Sequence, residues 1–237
     1  MKAPDEHLAS VDAFRGIAVA GMILVNNPGN WNAVFESLTH ADWNGCTFAD
    51  LVFPFFIFVL GVVMPFAFTR RRDRGQADRE LYLRIVRRGL ALIGLGLILN
   101  LAVPFTSVAT LRFPGVLQRI GVVYVIAAFV VLNETRWWEQ TAFLAIALLG
   151  EWALLRFVPF DGGGAGLGPR HNLAGFIDKN IFGAHTLTAT GDPEGILATL
   201  PAVGEALLGA FAGDWLLKEQ SRWARVGGMA IGGLVTL

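Results

Sequence analysis

Residues 48–68 read FADLVFPFFIFVLGVVMPFAF, and after Asp50 the next charged residue is Arg70. A helix needs about 20 mostly apolar residues to cross a bilayer, so this stretch alone predicts a membrane span. The rest of the chain agrees with it. Of 237 residues, 54% are hydrophobic and 16% charged, with 18 Phe and 7 Trp, against about 25% charge in an ordinary soluble domain. Mean hydropathy is +0.53. That much apolar surface excludes disorder and does not fit one soluble core. Net charge is zero, so nothing points to nucleic acid. Cys46 is the only cysteine, which excludes an internal disulfide framework and a multi-cysteine zinc site.

Further spans are predicted over 89–105, 116–132, 141–158 and 196–217. The run Val226 to Leu237 is too short to span unless it tilts or continues, so the chain reads as the N-terminal part of a longer bundle, incomplete at its C-terminus. Near the start only Gly16 to Val25 is cleanly apolar, and Asp12 and Arg15, at i and i+3, can pair on one helix face. The MKAPDEH start and the absence of a small-x-small cleavage pattern argue against a signal peptide. The expected fold is all-α: one polytopic transmembrane domain over 1–237 with about seven helices.

With the N-terminus inside, fourteen Lys and Arg flank the inner ends and three lie in outer loops, eight of the fourteen between Arg70 and Arg88. The positive-inside rule therefore predicts an inner-membrane, multi-pass protein with a cytoplasmic N-terminus. Residues 27–47 and the loop from Pro159 to Gly195 then face outside. The run 162-GGGAGLG-168 follows no strand and lacks GK[ST], so it reads as a flexible loop, not a phosphate cradle.

The first outer loop collects Asn26, His40, Asp42, Trp43, Asn44, Thr47 and Asp50 within 25 residues. An imidazole with a pKa of about 6.5 suits proton transfer at neutral pH, so His40 is a candidate base, although the residues alone favour a packed or surface histidine. His7, His171 and His185 have no tight ligand spacing, so no metal is expected. Intramembrane polar groups often mark sites: Asp50, Gln118 and Arg119 are expected to share an outer cavity, with Asp50 or Asp42 neutralising Arg119. Asn100, Glu151 and Glu205 also lie within predicted spans. The Arg-rich inner loop suits either a phosphorylated cofactor or anionic lipid.

Four blocks carry a resemblance. They are 10-SVDAFRGIAVAGMILVNNPG-29, 40-HADWNGCTFADLVFPFFIFVLGV-62, 115-GVLQRIGVVY-124 and 192-DPEGILATLPAV-203. In this order they resemble the heparan-α-glucosaminide N-acetyltransferase family. The resemblance implies transfer of acetyl from cytosolic acetyl-CoA to a glucosamine-type amine on the far side, without metal. It places the motif histidine on His40 and its paired asparagine on Asn26, facing one cavity. Apart from the resemblance, acceptor contacts are expected at Asp42, Trp43, Asn44, Asp50, Gln118, Arg119, Asp192 and Glu194, and acetyl-CoA contacts at Arg15, Asn100, Arg87 and Arg88. The expected partners are the bilayer, the sugar amine and a second copy in a homodimer. The family bundle runs several helices further, and its animal members carry an N-terminal lumenal domain with no counterpart here. Two other functions fit the pattern: an amino-sugar permease, disfavoured by the lack of an inverted repeat, and an envelope-glycan O-acyltransferase, which shares the S-x-D-x-x-R-G opening.

Overall fold

A segment inside a bilayer has no water to satisfy its amides, so it folds as helix, and helix dominates this chain. The computed structural model describes residues 9–30, 32–73, 75, 77–102, 107–133, 136–161, 164–218 and 221–236. The helices are α1 (Ala9–Asn26), α2 (Phe48–Asp73), α3 (Asp78–Leu101), α4 (Val116–Asn133), α5 (Trp137–Ala145), α6 (Glu151–Phe157), α7 (Leu173–Phe182), α8 (Ile196–Leu217) and α9 (Arg222–Thr236). A π turn, Ile146–Gly150, joins α5 to α6 without a break. The predicted spans fall on helix except at Ala102 and Val158, just past the ends of α3 and α6, and at 103–105, which lie outside the described residues. Among the described residues, five qualify as membrane spans by length and composition: α1, α2 to Arg71, α4, the continuous Trp137–Phe157, and α8. α3 differs because Arg79, Arg84, Arg87 and Arg88 occupy its first half. α9, at 15 residues, reaches only about 22 Å, short of a hydrocarbon core of about 30 Å.

The chain forms two compact units, residues 1–76 with 205–237, and residues 77–204. In the first, α1 lies along α2. Val25, Ala49 and Val52 form a buried cluster with Met22 and Leu38 against it, and Phe14 meets Phe55 at 5.6 Å between ring centroids. The later half of α8 packs on α2 through glycines. A Cβ on Gly61 would strike the Ala206 carbonyl, one on Gly209 the Phe58 carbonyl, and one on Gly213 the Val62 carbonyl. Membrane helices lack a hydrophobic drive toward one another, so small residues that admit close backbone contact hold them together. Ile57, Val59, Met64, Ala206, Leu207 and Ala210 are buried around this seam.

In the second unit α3 and α4 run antiparallel. Tyr82, near the start of α3, donates to Asn133 Oδ1 at the end of α4 at 2.5 Å. Gly89 and Gly121 let the two backbones meet mid-span, and Gly96 accommodates the Gln118 side chain. The loop after α6 is more ordered than its glycine content predicts. Residues 162–163 lie outside the described residues, but Leu167–Gly168 pairs with His171–Asn172 as a short hairpin. The Asn172 side chain then caps α7 by accepting from Gly175 N at 2.8 Å. Phe160, Leu173 and Leu197 form a buried cluster that ties α7 to the start of α8. Gly191, at φ 135°, closes the loop against Gly175, where a side chain has no room.

Candidate functional site

In 47-TFAD-50, at the start of α2, the acid reaches back to the backbone of the hydroxyl residue three positions before it, one half of a capping box. Asp50 Oδ2 accepts from Thr47 N at 2.9 Å and Thr47 Oγ1 at 3.1 Å. The negative charge also suits the positive end of the helix. The preceding chain wraps onto the same carboxylate. Ala41 N donates to Oδ2 at 3.2 Å, and Thr47 Oγ1 reaches the Thr39 carbonyl at 2.7 Å. His40, between Thr39 and Ala41, thereby places Nδ1 at 2.8 Å from Asp50 Oδ1. Its ring remains 63% exposed, and Nε2 has no hydrogen bond among the described residues. A carboxylate at Nδ1 holds the proton there and leaves the Nε2 lone pair available.

Asn26 is the exposed last residue of α1. It follows Val25, which packs in the cluster containing Ala49, so the end of α1 meets the start of α2. Asp42, Trp43 and Asn44 sit on an exposed turn, where Gly45 takes φ 128°. Arg15 pairs with Asp12 at 2.8 Å, as the i, i+3 spacing predicts.

The second unit holds a different constellation. Arg112 grips Asp192 with two parallel bonds, Nε to Oδ2 at 2.8 Å and Nη2 to Oδ1 at 2.5 Å, and Nη2 also bonds Glu194. Asp192 further accepts from Leu187 N and Glu194 N. Burial alone would push the Asp192 carboxyl up, but the Arg112 hydrogen bond and these amides hold it below its ordinary value. Burial raises Glu194, against the opposing pull of Arg112 and with the Asp192 charge adding to the rise. Burial would lower the Arg112 guanidinium, but its two acids raise it. Beneath this turn Asp178, 1% exposed, accepts from Ile196 N and Asp192 N. Burial raises its carboxyl too.

Arg119 donates to the Pro193 carbonyl at 3.2 Å and the Ala198 carbonyl at 2.5 Å. Pro193 precedes α8 and Ala198 lies in its first turn, so both acceptors come from the approach to that helix and its start. Asp50 and Asp42, the acids expected to neutralise Arg119, belong to the other compact unit, where Asp50 is bound to His40. Asn100, expected beside Arg87 and Arg88, donates to the Arg112 and Pro114 carbonyls from the far end of α3, whereas Arg87 and Arg88 are exposed near its middle. The structure thus collects Asn100, Gln118, Arg119, Asp192 and Glu194 in one unit, and His40 with Asp50 in the other. Sequence reasoning missed Arg112, Asp178 and His185. A signal for Arg112 existed: two acids in 192-DPEG-195 call for a cation.

The catalytic profile described as heparan-alpha-glucosaminide N-acetyltransferase matches residues 8–236. The chain belongs to the heparan-α-glucosaminide N-acetyltransferase family. It is 34% identical over 265 residues to the human protein of that name, across 91% of this chain and 39% of the human one. The mouse counterpart is 33% identical over 267 residues, across 91% of this chain and 40% of its own length. The chain therefore spans about two-fifths of the curated relatives it matches. Membership makes it a membrane protein of an acyltransferase family, with His40 and Asn26 in the blocks that carried the resemblance.

Proposed function

We propose that this chain carries the acetyl-transfer chemistry of its family: acetyl passes from acetyl-CoA to the amine of a glucosamine-type sugar, with His40 as general base. The observation that carries the reading is the His40–Asp50 contact, a base oriented by an acid with its second nitrogen free and exposed. Acetyl-CoA supplies an acyl group on a sulfur leaving group. An ammonium has no lone pair with which to attack it, so one proton must first pass to water. His40 Nε2 then takes a second proton as the N–C bond forms, and that proton passes to the sulfur as the C–S bond breaks. Charge developing on the acyl oxygen needs a fixed donor, and the Asn26 amide is assigned that role. Arg84, Arg87 and Arg88 are exposed at i, i+3 and i+4 on α3, a donor set that fits the phosphates of CoA. Asp42, Trp43 and Asn44 are assigned to the acceptor. Direct transfer is favoured over an acetyl-His40 intermediate.

The reading places the N-terminus in the cytoplasm of a bacterial-type inner membrane, His40 outside, and acetyl-CoA inside. Membranes containing the chain, given acetyl-CoA labelled in the acetyl group, should label glucosamine, and the His40→Ala variant should lose this by about 10²-fold or more. Uptake of glucosamine with no transfer at all would favour the permease.

A further inference from the structure

Arg112 is fixed more thoroughly than an ion pair requires. His185 O accepts from Phe113 N at 3.0 Å, and His185 Nδ1 lies 2.7 Å from the Leu111 carbonyl. The His185 ring stacks on Phe113 at 4.0 Å, while Asn100 holds the Arg112 carbonyl. Both neighbours and the residue's own backbone are thus pinned, and Asp192, with a fully buried side chain, pins Nε and Nη2. Nη1 is left without an acceptor among the described residues, on a side chain that remains 22% exposed. Glu194, beside it, is 17% exposed. Under the same segment lies a second donor without an acceptor: Gln118 is 7% exposed, its amide lies against Gly115 and Gly96, and Nε2 is unsatisfied. Leaving such a donor buried and unmade is costly.

We propose that the free edge of Arg112 and the adjoining Glu194 carboxyl form a recognition site for neighbouring hydroxyl groups of a sugar. A rigid donor beside an acceptor matches a hydroxyl pair, in which one oxygen accepts from Nη1 while the next O–H donates to Glu194. A phosphate or sulfate is disfavoured because two carboxylates, Asp192 and Glu194, outweigh the single guanidinium, leaving direction without net positive field. The inference deepens the acetyltransferase reading and rests on it for the choice of an amino sugar.

The test is binding, measured on the purified full chain in detergent by calorimetric titration with glucosamine and with cyclohexylamine, a six-membered ring amine without hydroxyls. The chain should bind glucosamine more tightly. Arg112→Lys keeps the charge but loses the planar edge, and should weaken glucosamine by about tenfold or more, the scale of one hydrogen bond to a charged group, with cyclohexylamine unchanged. Glu194→Ala should do the same, and Glu194→Gln should largely restore binding. Asp178→Asn, which loosens the turn without touching the edge, should shift the melting point but not the ratio of the two affinities. Equal weakening of both ligands in Arg112→Lys and Glu194→Ala would reduce the cluster to a structural latch, and so would equal affinities in the unmodified chain. If Arg112→Lys does not fold, the Glu194 pair decides alone. Retained binding in an unmodified chain that transfers no acetyl group would overturn the acetyltransferase reading while leaving this site standing.

Discussion

Replacing Asp50 by Asn changes a single atom type, yet the surroundings dictate which way the new amide points. Oδ2 accepts from Ala41 N, Thr47 N and Thr47 Oγ1. Two of these are backbone N–H donors that only the amide oxygen can meet, so the NH₂ group must turn toward His40. An NH₂ facing Nδ1 requires the imidazole to accept there, which moves its proton to Nε2 and removes the base. The loss should match that of deleting a general base, about 10² or more, or at least about 2.7 kcal/mol in the barrier. Stability should fall by no more than about 1 kcal/mol, because the cap's hydrogen bonds survive and the side chain is partly exposed. The assay is labelled acetyl transfer to glucosamine, with melting points of Asp50→Asn and His40→Ala beside the unmodified chain. Transfer within about threefold of normal in Asp50→Asn, alongside loss in His40→Ala, would refute the orienting role.

At the α2–α8 seam, Gly209→Leu forces side-chain atoms into the Phe58 carbonyl and should destabilise by about 1–3 kcal/mol or more, the cost of overpacking; an unchanged melting point would contradict the close backbone contact. The Asp192 carboxyl lies below its ordinary value, so its contribution is complete above the usual aspartate pKa of about 3.9 and is lost as pH falls through the lowered value. Melting points across that acid range should therefore drop less steeply in Asp192→Asn than in the unmodified chain, and parallel curves would contradict the linkage. For orientation, exposed Cys46 should react with a membrane-impermeant maleimide in intact cells. Gly75→Cys in a Cys46→Ser background should react only after the membrane is opened, and the reverse pattern would invert the proposed topology.

The spans were legible because their signal is local: nineteen uncharged residues after Asp50 can hardly be anything but a membrane helix. The link from His40 to Asp50 was present in the sequence but in a different guise. T-x-x-D at a helix start is a cap signature, and reading Asp50 only by its depth concealed it. Arg112 was hidden for another reason. Asp192 and Glu194 call for a cation, but they lie 80 and 82 residues away, and nothing within either stretch says which cation answers them. Arg119 was legible as a charge needing compensation, but the Pro193 and Ala198 carbonyls that meet it carry no sequence mark of that role. α7 was masked by its glycine-rich approach, although Asn172 followed by LAGFIDKNIF is a cap before an amphipathic run.

The loop between α6 and α8 is fastened at nearly every turn, by its hairpin, the Asn172 cap, Asp178 and the Arg112 grip. Gly164 is different, exposed with nothing within 4 Å of where a side chain would begin. Exposed tips on anchored loops are where proteases cut first and where inserted sequence is best tolerated. This position therefore offers a site for an epitope or a cleavage sequence that leaves both polar centres intact, a handle for isolating the protein from a native membrane.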